Sequence, residues 1–325
     1  MTRVITIGSK KGGAGKTFIT QHFAGLAGMY GAKVAVVDLC KSRNLSKCLT
    51  SIAFPDYELY KRQNAQTWEA FVSEWSKQYV SAFDVLWAKN MDKDVLKLPL
   101  NIPSRDFEGR CEDPEIHLVI GSPMFEGEDG DGLGLEECVD NVRWSINELV
   151  ERHQFDYIFL DTGPNSDAAF HAALYASTDI VSIFRCETSN MGNMAEYSNN
   201  IIDIMDYREE EGYPAAYHGM IVTDIDTLGG NASSELMAQI VEDYPDTFQN
   251  NLLTRRVVRN ATNREYVWCF KGSSATNARN ELMTCWREFE GKLKSVSPSL
   301  PQPNAVAEEA PAYADGGLRA VNPPI

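Results

Sequence analysis

The sequence is short of positive charge. Its 46 acidic side chains face 30 Lys and Arg, a formal net charge of -16 over 325 residues. That balance excludes a chain that coats nucleic acid along its whole surface and leaves a local basic patch as the only way to bind it. Nowhere do the roughly 18 uninterrupted apolar residues of a membrane-spanning helix occur, so no transmembrane segment is expected. The N-terminus passes straight into an apolar strand, without the h-region or cleavage site of a secretion signal. Seven cysteines (Cys40, Cys48, Cys111, Cys138, Cys186, Cys269, Cys285) form no CxxC pair, and their odd number does not suggest a disulfide framework, so a reducing cytoplasm is the expected setting. Five histidines (His22, His117, His153, His171, His218) show no metal-ligand spacing and are expected to be structural or surface residues.

What is present suits a folded body. Apolar residues make up 43% and charged residues 23%, near the averages for globular proteins. Val4–Ile7, Lys33–Leu39, His117–Gly121, Tyr157–Asp161, Asp179–Phe184 and His218–Thr223 read as short apolar strands, and helix-patterned segments separate them, the first over Phe18 to Tyr30. Such alternation predicts an α/β, doubly wound, mainly parallel sheet with helices on both faces. Right-handed crossovers then bring the C-terminal ends of the strands to one edge, where ligands bind in such sheets.

Three segments depart from this rhythm. Between Ser51 and Glu115 the spacing of Trp68, Phe71, Trp75, Tyr79, Phe83 and Trp87 predicts a helical insertion after the second strand, its aromatic face packed on the core or offered to a partner. Glu126 to Gly134 is an acidic, glycine-rich loop without the ligand spacing of an EF-hand. From Ser295 onward Pro, Ala, Gly and polar residues dominate, too few large apolar groups to offset ordering entropy. One domain over 1–294 and a disordered tail over 295–325 are therefore expected.

The chemistry gathers after the first strand, in Lys11, Gly12, Gly13, Ala14, Gly15, Lys16 and Thr17. This stretch resembles the Walker A pattern, although the pattern's first glycine falls on Ser9 or Lys10. Glycines let the main chain curl around phosphate oxygens, and the helix that opens near Phe18 aims its positive end at them. Lys16 is placed to neutralise phosphate charge and Thr17 to offer its hydroxyl to Mg²⁺, so ATP and Mg²⁺ are the expected ligands. Asp161, ending YIFLD, is the expected Walker B acid at the same edge. Asp38 ends another strand there and could orient water or serve the metal.

KGGAGKT, the strand KVAVVDL with RNLS beyond it, and FDYIFLDTGP together resemble the ParA/MinD family of deviant Walker ATPases. ALYASTDIVSIFRCE resembles the family's strand after the Walker B region and HGMIVTDID the one near the adenine. The resemblance implies an ATPase that dimerises on ATP, with Lys11 reaching the partner subunit's phosphates and supplying charge as an arginine finger would. It also implies non-specific DNA binding in partition members, a ParB-like adaptor, and a cytoplasmic, nucleoid-associated setting. The chain departs from the family at Cys40, where members usually carry a second acid that positions water. A thiol of ordinary pKa about 8.5 orients water poorly near neutral pH, so hydrolysis is expected to be slow or partner-stimulated.

Arg255, Arg256 and Arg259, followed by Arg264 and Lys271, form the expected DNA-binding face; the alternative is a solvated surface with local ion pairs. A MinD-like membrane helix would need a cationic face beside a bulky apolar one. Asn277 to Leu293 does align Leu282, Trp286, Phe289 and Leu293, but core packing accounts for that better. A reductase with a bridging iron–sulfur cluster, or an ATP-dependent metabolic enzyme of the same superfamily, are the further alternatives.

Overall fold

The computed structural model describes residues 1–53, 68–100, 111, 113–122, 133–163, 168–225, 231–253, 258 and 266–296. The segment beyond Val296, most of the acidic loop, and Arg255, Arg256, Arg259 and Arg264 lie outside them. The β-branched runs of the sequence become strands of one seven-stranded sheet: β1 (Arg3–Gly8), β2 (Val34–Asp38), β3 (Leu96–Pro99), β4 (Glu115–Val119), β5 (Tyr157–Asp161), β6 (Asp179–Arg185) and β7 (Ala216–Thr223). Their spatial order is β3-β4-β2-β5-β1-β6-β7, antiparallel only between β3 and β4.

Helices cover both faces: α1 (Lys16–Met29), α2 (Asn44–Ala53), α3 (Trp68–Trp75), α4 (Ala82–Leu86), α5 (Leu135–His153), α6 (Ala168–Ala176), α7 (Met191–Glu210), α8 (Asn231–Asp243) and α9 (Ser273–Ser295). Strand alternation sorts the side chains between the layers. Ile5, Ile7, Val34, Val36 and Phe159 pack with α1, α2 and α9. Val4, Ala35, Val37, Ile158 and Leu160 pack with α5 and α6. Central strands buried on both faces must be apolar at nearly every position, which is why they read as continuous runs.

The aligned residues of α9, Leu282, Trp286, Phe289 and Leu293, are buried in this core. Phe23 of α1 has its ring centroid 5.3 Å from those of both Trp286 and Phe289. Burying each such side chain contributes about 1.5–3 kcal/mol, so the apolar face of α9 is spent inside the protein. α1 approaches closely because Gly25 has no side chain: a Cβ there would lie 2.6 Å from the Tyr266 ring. His22 of α1 is wholly buried. Its Nδ1 lies 2.8 Å from the Phe18 carbonyl, and its Nε2 accepts from Val267 N–H at 3.0 Å, an arrangement that fixes a neutral ring with the proton on Nδ1.

The expected helical insertion proves mixed. It contains α3 and α4, but also β3, which adds an antiparallel edge to the sheet. Leu96 and Leu98 of β3 face inward while Lys97 and Pro99 face out, and a four-residue strand ending in proline gives little periodic signal. Trp75 and Tyr79 pack against one core layer and Trp87 against the other; the side chains of Trp68 and Phe71 lie outside the description.

At the opposite end from the strands' C-terminal edge, a polar clamp closes the chain on itself. Arg3 donates to Asp179 at 2.9 Å and to the carbonyls of Leu293 and Val296. Asp179 also takes contacts from Thr178 at 2.5 Å and His218 at 2.6 Å.

Candidate functional site

β1, β5 and β2 lie side by side in the middle of the sheet, and their register sets Ile7 opposite Asp161 and Asp161 opposite Asp38. The turn after β1 therefore curls directly over the two carboxylates. Gly15 makes the final bend into α1 with φ of 104°, a conformation that side-chain-bearing residues resist. Thr223, at the end of β7, secures the turn by donating to the Ala14 carbonyl at 2.8 Å.

Inside the turn, Lys16 is buried and donates to the carbonyls of Ser9 at 3.2 Å and Lys11 at 3.5 Å. Its pKa is lowered by burial, with the charge of Asp161 opposing the shift. Thr17 donates to Asp161 Oδ2 at 2.9 Å. The other oxygen, Asp161 Oδ1, is buried with no hydrogen-bond partner, which ordinarily costs about 1–3 kcal/mol. Burial, then the nearby charge of Asp38, pushes the Asp161 carboxyl up to about 8. A cation at this point would reverse that shift and occupy the orphaned lone pairs.

A cavity of about 690 Å³ opens beside this pair of Thr17 and Asp161, and Gly12, Gly13, Ala14, Gly15, Lys16, Thr17 and Phe18 all line it, with Thr162 and Gly163 after the buried Asp161. Cys40, Lys41, Ser42 and Asn44 form the wall after β2. The far end is built by Arg185, Thr223, Asp224, Leu252, Leu253 and Val258. Among these, Arg185 falls in ALYASTDIVSIFRCE and Thr223 and Asp224 in HGMIVTDID, both segments that the sequence marked; Leu252, Leu253 and Val258 belong to no motif and converge through the tertiary fold.

Three expected site residues do not line the cavity: Asp161, which is buried and reached from it through Thr17, Asp38 and Lys11. Asp38 lies behind the cavity wall, fully buried, because its oxygens are engaged by the loop that follows it. Oδ2 accepts from Ser46 N–H at 2.8 Å and Ser46 hydroxyl at 2.7 Å, and Oδ1 from Cys40 N–H at 3.2 Å. The Ser46 hydroxyl oxygen in turn accepts from Gly121 N–H at 2.8 Å. Asp38 thus fixes the β2–α2 loop rather than facing the cavity. Lys11 turns away from the cavity, its ammonium 2.8 Å from Glu187 Oε2. Cys40 does reach the wall, its Sγ 3.0 Å from Ser42 Oγ; burial and the charge of Asp38 push its thiol up, so it stays protonated at neutral pH.

A phosphate-shaped turn at the centre of a doubly wound sheet, with a lysine, a hydroxyl and a strand-end carboxyl converging beneath it, defines a P-loop nucleotide-binding protein. The chain belongs to the family described as the CobQ/CobB/MinD/ParA nucleotide binding domain, whose pattern matches residues 5–266. An uncharacterized protein of Mycobacterium tuberculosis (strain ATCC 25618 / H37Rv) is 25% identical over 258 residues, 78% of this chain and 68% of the relative. The fold is shared with a Cyanothece McdA variant in complex with ATP (TM-score 0.63, 14% identity, 89% of this chain and 96% of the other). It is shared too with pNOB8 ParA bound to nonspecific DNA (0.60, 18%, 91% and 100%). A third such structure is cobyrinic acid a,c-diamide synthase from Mycobacterium smegmatis with a bound ATP analog and magnesium (0.58, 16%, 92% and 99%). Among the described residues no helix is long and apolar enough to cross a membrane.

Proposed function

We propose that the protein is a ParA-type ATPase, a switch that dimerises on ATP, binds DNA without sequence preference and positions a plasmid, chromosome or other cargo. The observation that carries the reading is the turn that lines the cavity: Lys16 and Thr17 stand among its lining residues, and Thr17 donates to Asp161, a buried carboxyl whose other oxygen has no hydrogen-bond partner. That donor set fits a nucleotide triphosphate with Mg²⁺: Thr17 and Asp161 would hold the cation, and the turn from Lys11 to Phe18 with the Lys16 ammonium would hold the phosphates. Bound ATP supplies the phosphoryl group that is transferred to water. Lys16 balances its charge within the subunit, and Lys11, at the rim, supplies charge to the partner subunit's phosphates. Asp38 acts at one remove, by holding the loop that carries Cys40.

With a protonated thiol at Cys40 there is no carboxylate to orient water at that point, so turnover is slow until a ParB-like adaptor completes the site. Arg255, Arg256 and Arg259 are the proposed DNA contacts, in keeping with the DNA-bound state of pNOB8 ParA. The setting is the cytoplasm, with the ATP-bound dimer on the nucleoid. Light scattering with ATP, with ADP, and for Lys11→Ala with ATP tests the switch, alongside phosphate release with and without DNA. A dimer formed only by wild type with ATP supports it, and a monomer in every state refutes it.

A further inference from the structure

A chain of alternating charge links the phosphate turn to Arg185 and Asp224 on the cavity wall. Lys11 Nζ is 2.8 Å from Glu187 Oε2 and 3.4 Å from Ser189 Oγ. Glu187 Oε1 is 3.1 Å from Arg185, and Arg185 pairs with Asp224. Lys10, the other lysine at the start of the turn, pairs with Glu196 of α7. Lys11 is therefore drawn toward the segment between β6 and α7, and Lys10 toward α7 itself. The hydrogen bond from Lys11, ahead of the charge of Arg185, holds the Glu187 carboxyl below its usual range.

The Lys11 and Glu187 side chains are each 34% exposed, so their pairing is weak enough to exchange. Nucleotide phosphates carry more charge than one carboxylate and offer more acceptor oxygens, so they can displace it. We infer that Glu187 is a positioning residue for Lys11: it keeps the ammonium within its own subunit until a partner's nucleotide phosphates take it. Glu187 thereby raises the protein concentration at which the ATP-bound dimer closes. The inference rests on the trans role given to Lys11 under the proposed function.

The test is the dimer dissociation constant in saturating MgATP, measured by sedimentation for the full chain and for Glu187→Gln, Glu196→Gln and Lys11→Ala. Glu187→Gln is expected to dimerise about two- to fivefold more tightly, the range for a partly exposed pair, with Tm and the monomer's ATP affinity unchanged. Glu196→Gln, which frees only Lys10, is expected to match wild type. An equal gain in Glu196→Gln would assign the effect to lowered net charge and overturn the inference. If Lys11→Ala dimerises like wild type, the trans role itself fails. If Lys11→Ala is monomeric while Glu187→Gln gains nothing or loses affinity, the trans role stands and the holding role of Glu187 is refuted. Should wild type stay monomeric, a dimer of Glu187→Gln supports the inference and a monomer overturns it.

Discussion

His22 makes this protein sensitive to acid in a way that can be isolated. The ring is fully buried among Phe18, Tyr266 and Trp268, with centroids 4.1, 5.4 and 5.5 Å away. Burial drives its pKa down to about 3, with the Phe18 carbonyl opposing. The unfolded chain binds this proton below about 6.5 and the folded chain does not, so the neutral ring's contribution is complete above that pH and shrinks as pH falls toward 3. The slope is about 1.4 kcal/mol per pH unit, which makes the loss at pH 4.5 roughly 2.7 kcal/mol. Asp161 works with the opposite sign: its folded pKa of about 8 means that the folded state binds the extra proton between about 4 and 8, and stability there falls as pH rises. The difference between wild type and His22→Gln removes that term. Glutamine can still accept from Val267 N–H and cannot titrate. Urea unfolding of the nucleotide-free proteins, followed by tryptophan fluorescence at pH 7.5, 6.0, 5.0 and 4.5, should show the advantage of wild type shrinking by about 2–3 kcal/mol across the series. A difference that stays constant within about 0.5 kcal/mol would show that His22 charges at no cost and would refute the buried neutral ring.

The remaining expectations concern the site and the core. Lys16→Ala should weaken ATP binding by about 2–5 kcal/mol, read by calorimetry, because it removes the buried cation inside the turn. Cys40→Asp should raise phosphate release about tenfold or more by restoring a carboxylate at the cavity wall, the gain being smaller than the full range for general-base catalysis; an unchanged rate would show that the thiol is not what limits turnover. Trp286→Ala should cost about 3–5 kcal/mol in urea unfolding. Chelation of Mg²⁺ should weaken ATP binding in wild type and have less effect in Thr17→Ala, measured with a fluorescent ATP analogue.

The central strands were legible because β1, β2 and β5 are covered on both faces, so nearly every position had to be apolar. β3 was hidden by the opposite circumstance: an edge strand with two inward leucines needs only Leu96 and Leu98. The floor of the site was legible for a local reason, since Gly15, Lys16 and Thr17 act from consecutive positions and Asp161 ends a recognisable strand. Its walls were legible only in part: Cys40, Arg185, Thr223 and Asp224 lie at positions or in segments that the sequence marked, whereas Leu252, Leu253 and Val258 reach the same cavity from segments it did not, and no spacing rule links them. Asp38 shows the limit most clearly. Its place at a strand end suggested contact with a ligand, yet Ser46, eight residues on, and Cys40 occupy its oxygens, and a hydrogen bond across a loop leaves no periodic trace.

The Arg3 clamp decides on which side of the molecule the C-terminal end of α9 lies. By gripping the carbonyls of Leu293 and Val296 beside Asp179, it sets the end of α9 at the starts of the strands, while the nucleotide cavity opens at their ends. A five-residue strand such as β5 separates the two edges by about 17 Å. A dye attached at Ser295, or a surface tethered there, would hold the protein from behind with its nucleotide mouth facing outward. Single-molecule imaging of nucleotide binding could then be done with the anchor away from the cavity.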